Sequence, residues 1–332
     1  MNYFVFLHTD MENKGFRQLL HESFKSNDTE EWLDIWFTRP IGLAMALLCR
    51  RLGITPNMVT IVGILLAVLA GWMFWHDDLA HNVCGVVLLM TSNFCDSADG
   101  QLARLTDHKT AIGRMLDGLS GDICFFCLYL AVVVRLWNMH IPLTDVPWQG
   151  WGIVLCAVCG FLVHSPQSTL ADYYRQIHLW FLKGDSGSEL DSYAKEQQLY
   201  EQLKQQGWSW DRAFHYFYKG YCRKQERMTP RFQEFFHQYR QAASQSTPLT
   251  PHLSSVTSQF IDGSRPLMKY TNILTYNTRA IIFYVAALTN VPWLFPLCDI
   301  VLFQPMFLYM RHSHERLCET LTITGTNDND NS

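Results

Sequence analysis

Residues 96–122 read DSADGQLARLTDHKTAIGRMLDGLSGD and lie at the seam between two apolar runs. Residues 82–95 carry no charge before Asp96 and Asp99, and residues 123–134 are again uncharged after Asp117 and Asp122. Ionisable groups at the edge of a bilayer core are costly, so this placement points to function. Three or four carboxylates meeting in one place stay ionised only beside a cation. Hard oxygen donors at helical spacing suit Mg²⁺ or Mn²⁺ better than zinc. The spacing puts Asp96, Asp99 and Ala103 on one helical face, and Gly113 and Asp117 on one face of the next helix. Gly100 leaves room for a ligand or a second backbone, and Arg104 offers a planar, permanently charged fork for phosphate. A helical hairpin joining the two faces would hold a metal and a diphosphate against Arg104.

The surrounding chain is that of a membrane protein. Of 332 residues, 48% are hydrophobic and 17% charged, below the roughly 25% charged residues of soluble domains. A net charge of −4 gives no case for nucleic acid. Residues 1–26 lack the basic start and apolar length of a secretory signal. Asp28-Thr29-Glu30-Glu31 resembles a helix N-cap, and the aromatic-rich stretch from Trp32 to Arg51 reads as a helix lying in the membrane interface.

Residues 58–75, MVTIVGILLAVLAGWMFW, form an uncharged run of spanning length with tryptophans at its far end. Further runs at about 82–103, 113–137, 150–171, 279–290 and 293–310 bring the expected spans to six. The fold expected is all-α, a polytopic membrane helix bundle with an N-terminal interfacial helix and a cytoplasmic helical insert. Its parts are 1–55 (interfacial), 56–171 (spans one to four), 172–278 (insert), 279–311 (spans five and six) and 312–332 (tail). Loops 76–81, 136–149 and 291–293 contain no Lys or Arg, whereas Arg39, Arg50, Arg51, Arg104, Lys109 and Arg114 lie on the other side. The positive-inside rule then puts both termini and the aspartates toward the cytoplasm. Within the insert, 189–206 and 210–242 have helical patterns, and 243–258 reads as a flexible linker.

The spacing Asp96-x2-Asp99-Gly100-x2-Ala103-Arg104-x8-Gly113-x3-Asp117 resembles the signature of the CDP-alcohol phosphotransferase family, D-x2-D-G-x2-A-R-x8-G-x3-D-x3-D. Gly121 stands where the fourth aspartate falls, followed by Asp122. Asp122 lies about 140° around a regular helix from Asp117. A π-bulge, eased by Gly118 and Gly121, would turn it onto the working face. The resemblance implies six spans and transfer of a phosphatidyl group from a CDP-linked lipid, CDP-diacylglycerol, to an alcohol, with release of CMP. It implies two Mg²⁺ or Mn²⁺ ions on Asp96, Asp99, Asp117 and Asp122, with Asp122 also the general base. Gly100, Ala103, Arg104, Gly113 and Arg114 would contact substrate, and the family commonly forms homodimers. Its signature does not extend to the insert.

Arg114 and Arg279, as possible anion grips, favour a polyol or polyol phosphate acceptor. The alternatives are a CDP-linked head group of ethanolamine or choline type passed to a lipid alcohol, a cation path through the membrane, and a non-catalytic relative. The pairs Cys124-x2-Cys127 and Cys156-x2-Cys159 sit in apolar runs without histidine clusters and read as packed small residues. His164, Pro166, Asp172, Tyr173 and Arg175 mark the end of span four, where they would either shape an acceptor pocket or anchor the helix at the interface.

Overall fold

The computed structural model describes residues 15–23, 26, 28–107, 110–245 and 251–321, and among them helices are joined by short turns with no β-strand. In chain order they are α1 (Phe16–Ser23), a π-helical turn (Asp34–Thr38) running into α2 (Arg39–Arg51), α3 (Pro56–Met73), α4 (Leu79–Thr106) and α5 (Ala111–Leu136). Then come α6 (Gln149–Ala157), a π-helical segment (Val158–His164), α7 (Ser165–Lys183), α8 (Tyr193–Gln205), α9 (Trp210–Met228), α10 (Pro230–Ser244) and α11 (Pro251–Ser264). The chain closes with α12 (Met268–Ile273), α13 (Tyr276–Leu288), α14 (Leu294–Cys298), a π-helical segment (Asp299–Phe303) and α15 (Gln304–Thr320).

Four helical stretches among the described residues are long and apolar enough to cross a membrane: Pro56–Met73, Met115–Leu136, Gln149–Lys183 and Leu294–Thr320. The chain is an all-α integral membrane protein. Two of the six expected runs have a different character. Helix α4 is 28 residues long, but its apolar length ends in Asp96, Asp99 and Arg104. Helix α13 has 13 residues and rises only about 20 Å, short of a bilayer core.

The chain folds as two compact units: residues up to Ala70 with Cys84–Cys124, and Gly71–Val83 with everything from Phe125 onward. In the first, α2 packs along α4. A Cβ at Gly42 would stand 2.5 Å from Ser97 Oγ, and Gln101 Nε2 donates to the Arg39 carbonyl at 3.1 Å. Ala46, Val59, Cys95, Ala98 and Leu102 form its small core. The opposite surface of the N-terminal segment exposes Trp32, Trp36, Leu48 and Leu52, as an interfacial helix requires. Ser26, rather than Asp28, makes the turn before it, its Oγ accepting from the Asp28 N–H at 3.2 Å.

The second unit is organised around aromatic packing. Phe181 stacks on Phe260 at 4.0 Å, and Tyr174 on His314 at 3.8 Å. Phe232, Phe235 and Tyr239 complete the core. This ties the insert down as packed structure. Helix α7 runs past residue 171 to Lys183, where Gly184 at φ +75° ends it and its N–H bonds the Trp180 carbonyl at 2.8 Å. Ser192 and Ser209 cap α8 and α9. Pro230, which has no N–H to continue a helix, separates α9 from α10. The expected linker over 243–258 is helical from Pro251 onward; residues 246–250 and the tail beyond 321 lie outside the described residues.

Candidate active site

Helix α4 carries two carboxylates that face different neighbours. Asp99 is buried, and its Oδ2 lies 2.5 Å from Thr60 Oγ1 on α3. Thr60 Oγ1 is also 3.1 Å from the Pro56 carbonyl, so its one proton serves a single acceptor at a time. Asp96 is exposed and turned to α5, where Ser120 Oγ stands 3.0 Å from its Oδ1 and 2.8 Å from the Asp117 carbonyl. Asp117 is exposed as well. It is close enough for its charge to act on both Asp96 and Asp99. Asp96, Asp99 and Asp117 thus act on one another as like charges, and hydroxyls meet two of them, Asp96 and Asp99.

The start of α5 is fixed by close packing. A Cβ at Gly113 would fall 2.9 Å from Asn57 Oδ1 and 3.0 Å from Thr110 Oγ1, so this glycine lets α5 approach the beginning of α3. Its role is structural in addition to any contact with substrate. Gly100 differs: the nearest atom to a Cβ there is Arg104 Nη1, 4.0 Å away. Arg104 therefore folds back over Gly100 and leaves that face open. Ala103 is half-buried beside them. The side chain of Arg114 lies outside the described residues.

Asp122 does not meet its expectation in the same way. Helix α5 is α-helical from Ala111 to Leu136, with no π-bulge near Gly118 or Gly121. A regular helix puts Asp122 about 140° from Asp117 and about 200° from Ser120. It is therefore turned from the side of α5 that meets Asp96, and it is exposed. Among the described residues the π turns occur elsewhere, at 34–38, 158–164 and 299–303. At position 121 itself a Cβ would meet nothing within 4 Å, so the room for a fourth carboxylate exists while the carboxylate does not.

Three contributors escaped the motif. Thr60 and Ser120 are hydroxyls that orient the carboxylates. Asp34, in the first π turn, is near enough to act electrostatically on Asp96. Ser120 stood inside the quoted stretch, and Asp34 inside an aromatic interfacial run, but neither position signals its partner.

The donors are chemically right for a hard divalent cation: carboxylate oxygens, two of them, on Asp96 and Asp99, oriented by hydroxyls, as ligating carboxylates commonly are. Among the described residues, however, no three His, Cys, Asp or Glu side chains are drawn together closely enough to hold an ion. The set fits such an ion in chemistry.

Two other expectations resolve differently. Arg279 is no anion grip. It is fully buried, pairs with the fully buried Asp299, and donates to Gln167 Oε1 at 2.5 Å and the Leu274 carbonyl at 3.1 Å. The residues at 164–175 are not one pocket: His164 sits between Tyr129 and Arg279, Tyr173 accepts from Gln233, and Arg175 donates to Asn272. The ten cysteines are all free thiols, and Cys124, Cys156 and Cys159 are buried as packing residues.

Residues 53–178 match the CDP-alcohol phosphatidyltransferase family model. It is 36% identical over 92 residues to archaetidylinositol phosphate synthase of Pyrococcus horikoshii, covering 26% of this chain and 47% of that protein. It is 31% identical over 112 residues to ceramide phosphoethanolamine synthase of Drosophila melanogaster, covering 32% of this chain and 27% of that one. The chain thus spans under half the length of either relative. No solved structure matches it.

Proposed function

We propose that the chain transfers a substituted phosphate group from a CDP-linked donor to an alcohol, releasing CMP. The observation that carries this is the bond between Asp96 on one helix and Ser120 on the next, one turn from Asp117, with Arg104 over an open Gly100. Asp96, Asp99 and Asp117 would hold Mg²⁺ or Mn²⁺, two ions by resemblance, which when bound neutralise the diphosphate and the leaving CMP. Arg104 pairs with a phosphate oxygen. Gly100 and Ala103 let the cytidine side approach. Thr60 and Ser120 hold the carboxylates in place.

The attacking hydroxyl must lose its proton to a base. Asp122 is our candidate, although it lies off the Asp96-facing side of α5. With CDP-diacylglycerol as donor, the acceptor is a polyol or other small alcohol; the case for a phosphorylated one weakens, because Arg279 is committed to Asp299. The second reading, transfer of a CDP-linked head group to a lipid alcohol, is favoured by the likeness to ceramide phosphoethanolamine synthase. The positive-inside pattern supports a site and termini facing the cytoplasm, and the resemblance supports a homodimer.

The test is CMP release by the purified full chain with Mg²⁺ or Mn²⁺. One arm uses CDP-diacylglycerol with inositol, inositol phosphate or glycerol phosphate. The other uses CDP-ethanolamine or CDP-choline with diacylglycerol or ceramide. Release in one arm identifies the donor; no release in either, from protein that binds CDP, would remove the enzymatic reading.

A further inference from the structure

Outside the matched domain, the exposed face of α9 is cationic. Gly220, Arg223, Lys224, Arg227 and Met228 line a shallow groove of about 300 Å³. These positions are three, four, seven and eight residues apart, so they form one stripe along the helix. Arg223 and Arg227 are exposed. Arg223 lies over the Tyr193 ring, and among the described residues no carboxylate pairs with Arg227. The nearest acid in sequence, Glu226, is committed to the Tyr193 N–H, from which it accepts at 2.8 Å. Toward its start the same helix exposes Trp210, Tyr216 and Phe217, the last at 70%.

The depth of this groove is set by Lys224. Its Nζ donates to Ser165 Oγ at 2.9 Å and lies 3.5 Å from Thr169 Oγ1. Ser165 stands sixteen residues into the spanning helix that begins at Gln149, a rise of about 24 Å. There the apolar run gives way to Ser165, Gln167, Ser168 and Thr169. That is where a bilayer core of about 30 Å meets its headgroups. Guanidinium forks beside exposed aromatic rings at that level match a phosphate with acyl chains attached.

We propose that the α9 groove binds the headgroup of an anionic phospholipid, with Arg223 and Arg227 on the phosphate and Phe217 toward the acyl region. This site lies beyond the proposed transfer reaction and uses none of its residues.

The test uses the full chain in neutral detergent, titrated calorimetrically with dioctanoyl phosphatidic acid, with dioctanoyl phosphatidylcholine as control and inorganic phosphate as competitor. The double variant R223Q/R227Q is expected to bind phosphatidic acid about 30-fold more weakly, from about 1 kcal/mol per basic residue at a lipid surface. A control double variant on exposed positions elsewhere, K204Q/R265Q, is expected to bind as the parent does. Elution of each variant at the parent position in size exclusion shows that it is folded. Equal binding by R223Q/R227Q and parent would overturn the proposal, as would equal binding of phosphatidylcholine. Displacement by inorganic phosphate at equimolar concentration would also overturn it, by assigning the groove to free phosphate.

Discussion

Two clusters of charge interrupt the apolar helices, and they are built on opposite principles. On α4 and α5, Asp96, Asp99 and Asp117 gather like charges, with Asp96 and Asp117 exposed and open space at Gly118 and Gly121. Around Asp299 the charges are opposite and closed. Arg279 and Tyr129 both donate to its carboxylate, and His164, Gln167 and Gln304 fill the remaining positions. A structural cluster satisfies its own members, since a buried unpaired charge is very expensive. The carboxylate cluster leaves repulsion standing, which makes sense where a cation and a diphosphate supply the balance.

The largest expected effect tests that distinction on the open side. Asp117→Asn should lower CMP release on the order of 10³-fold, the scale of losing one electrostatic contributor to the transition state. Thermal stability in detergent should hold or rise, because a like-charge contact has been relieved. A parallel loss of melting temperature and activity would show the group to be structural after all.

On the closed side the pattern reverses. Arg279→Met strands a buried carboxylate and should cost about 3–5 kcal/mol, whereas Arg279→Met with Asp299→Leu should be near neutral. Thermal unfolding of the single and double variants measures both. If the double variant were no more stable than the single one, Asp299 would not be the partner that matters.

The two clusters also differ in how far they could be read from the sequence. The carboxylates follow one another at helical spacing within 22 positions, so a single hairpin brings them together, and local periodicity is enough to see it. Arg279 and Asp299 lie on different helices, and their partners Tyr129, His164 and Gln167 come from more than 110 residues away. Arg279 accordingly read as an anion grip. Arg135 at the end of α5 is likewise moored to distant residues, Asn82 and Asn290, at 2.9 and 2.6 Å. The helical insert was legible as helix, but its attachment rests on stacked rings such as Phe181 on Phe260, pairings that no local pattern encodes. The π-bulge failed for a related reason. Two glycines permit a distortion of α5, but only a packing demand would impose one, and the Asp96–Ser120 contact is met by a regular helix.

That regularity gives a sharper test at position 121. If Asp122 is the base, Asp122→Asn should lower CMP release about 10²-fold, at the low end for a general base. In a Gly121→Asp background the same change should cost far less, because the new carboxylate occupies space where a Cβ meets nothing within 4 Å. Gly121→Asp that folds yet fails to rescue would place the base outside α5 and draw attention to Asp34.

The smallest expected effect concerns the hydroxyls. Thr60→Val keeps the shape of the side chain and removes the group 2.5 Å from Asp99. Loss of such an orienting partner typically costs 10–100-fold in metal affinity or activity. Because Thr60 also lies 3.1 Å from the Pro56 carbonyl, its proton is shared, and the lower end, about 10-fold, is expected. The loss should appear in the Mg²⁺ or Mn²⁺ concentration needed for half-maximal CMP release, with little change at saturating metal. A fall in the saturated rate with unchanged metal dependence would instead make Thr60 a contact to substrate. Asp99 would then belong with the closed cluster, as a buried carboxylate satisfied by its neighbour.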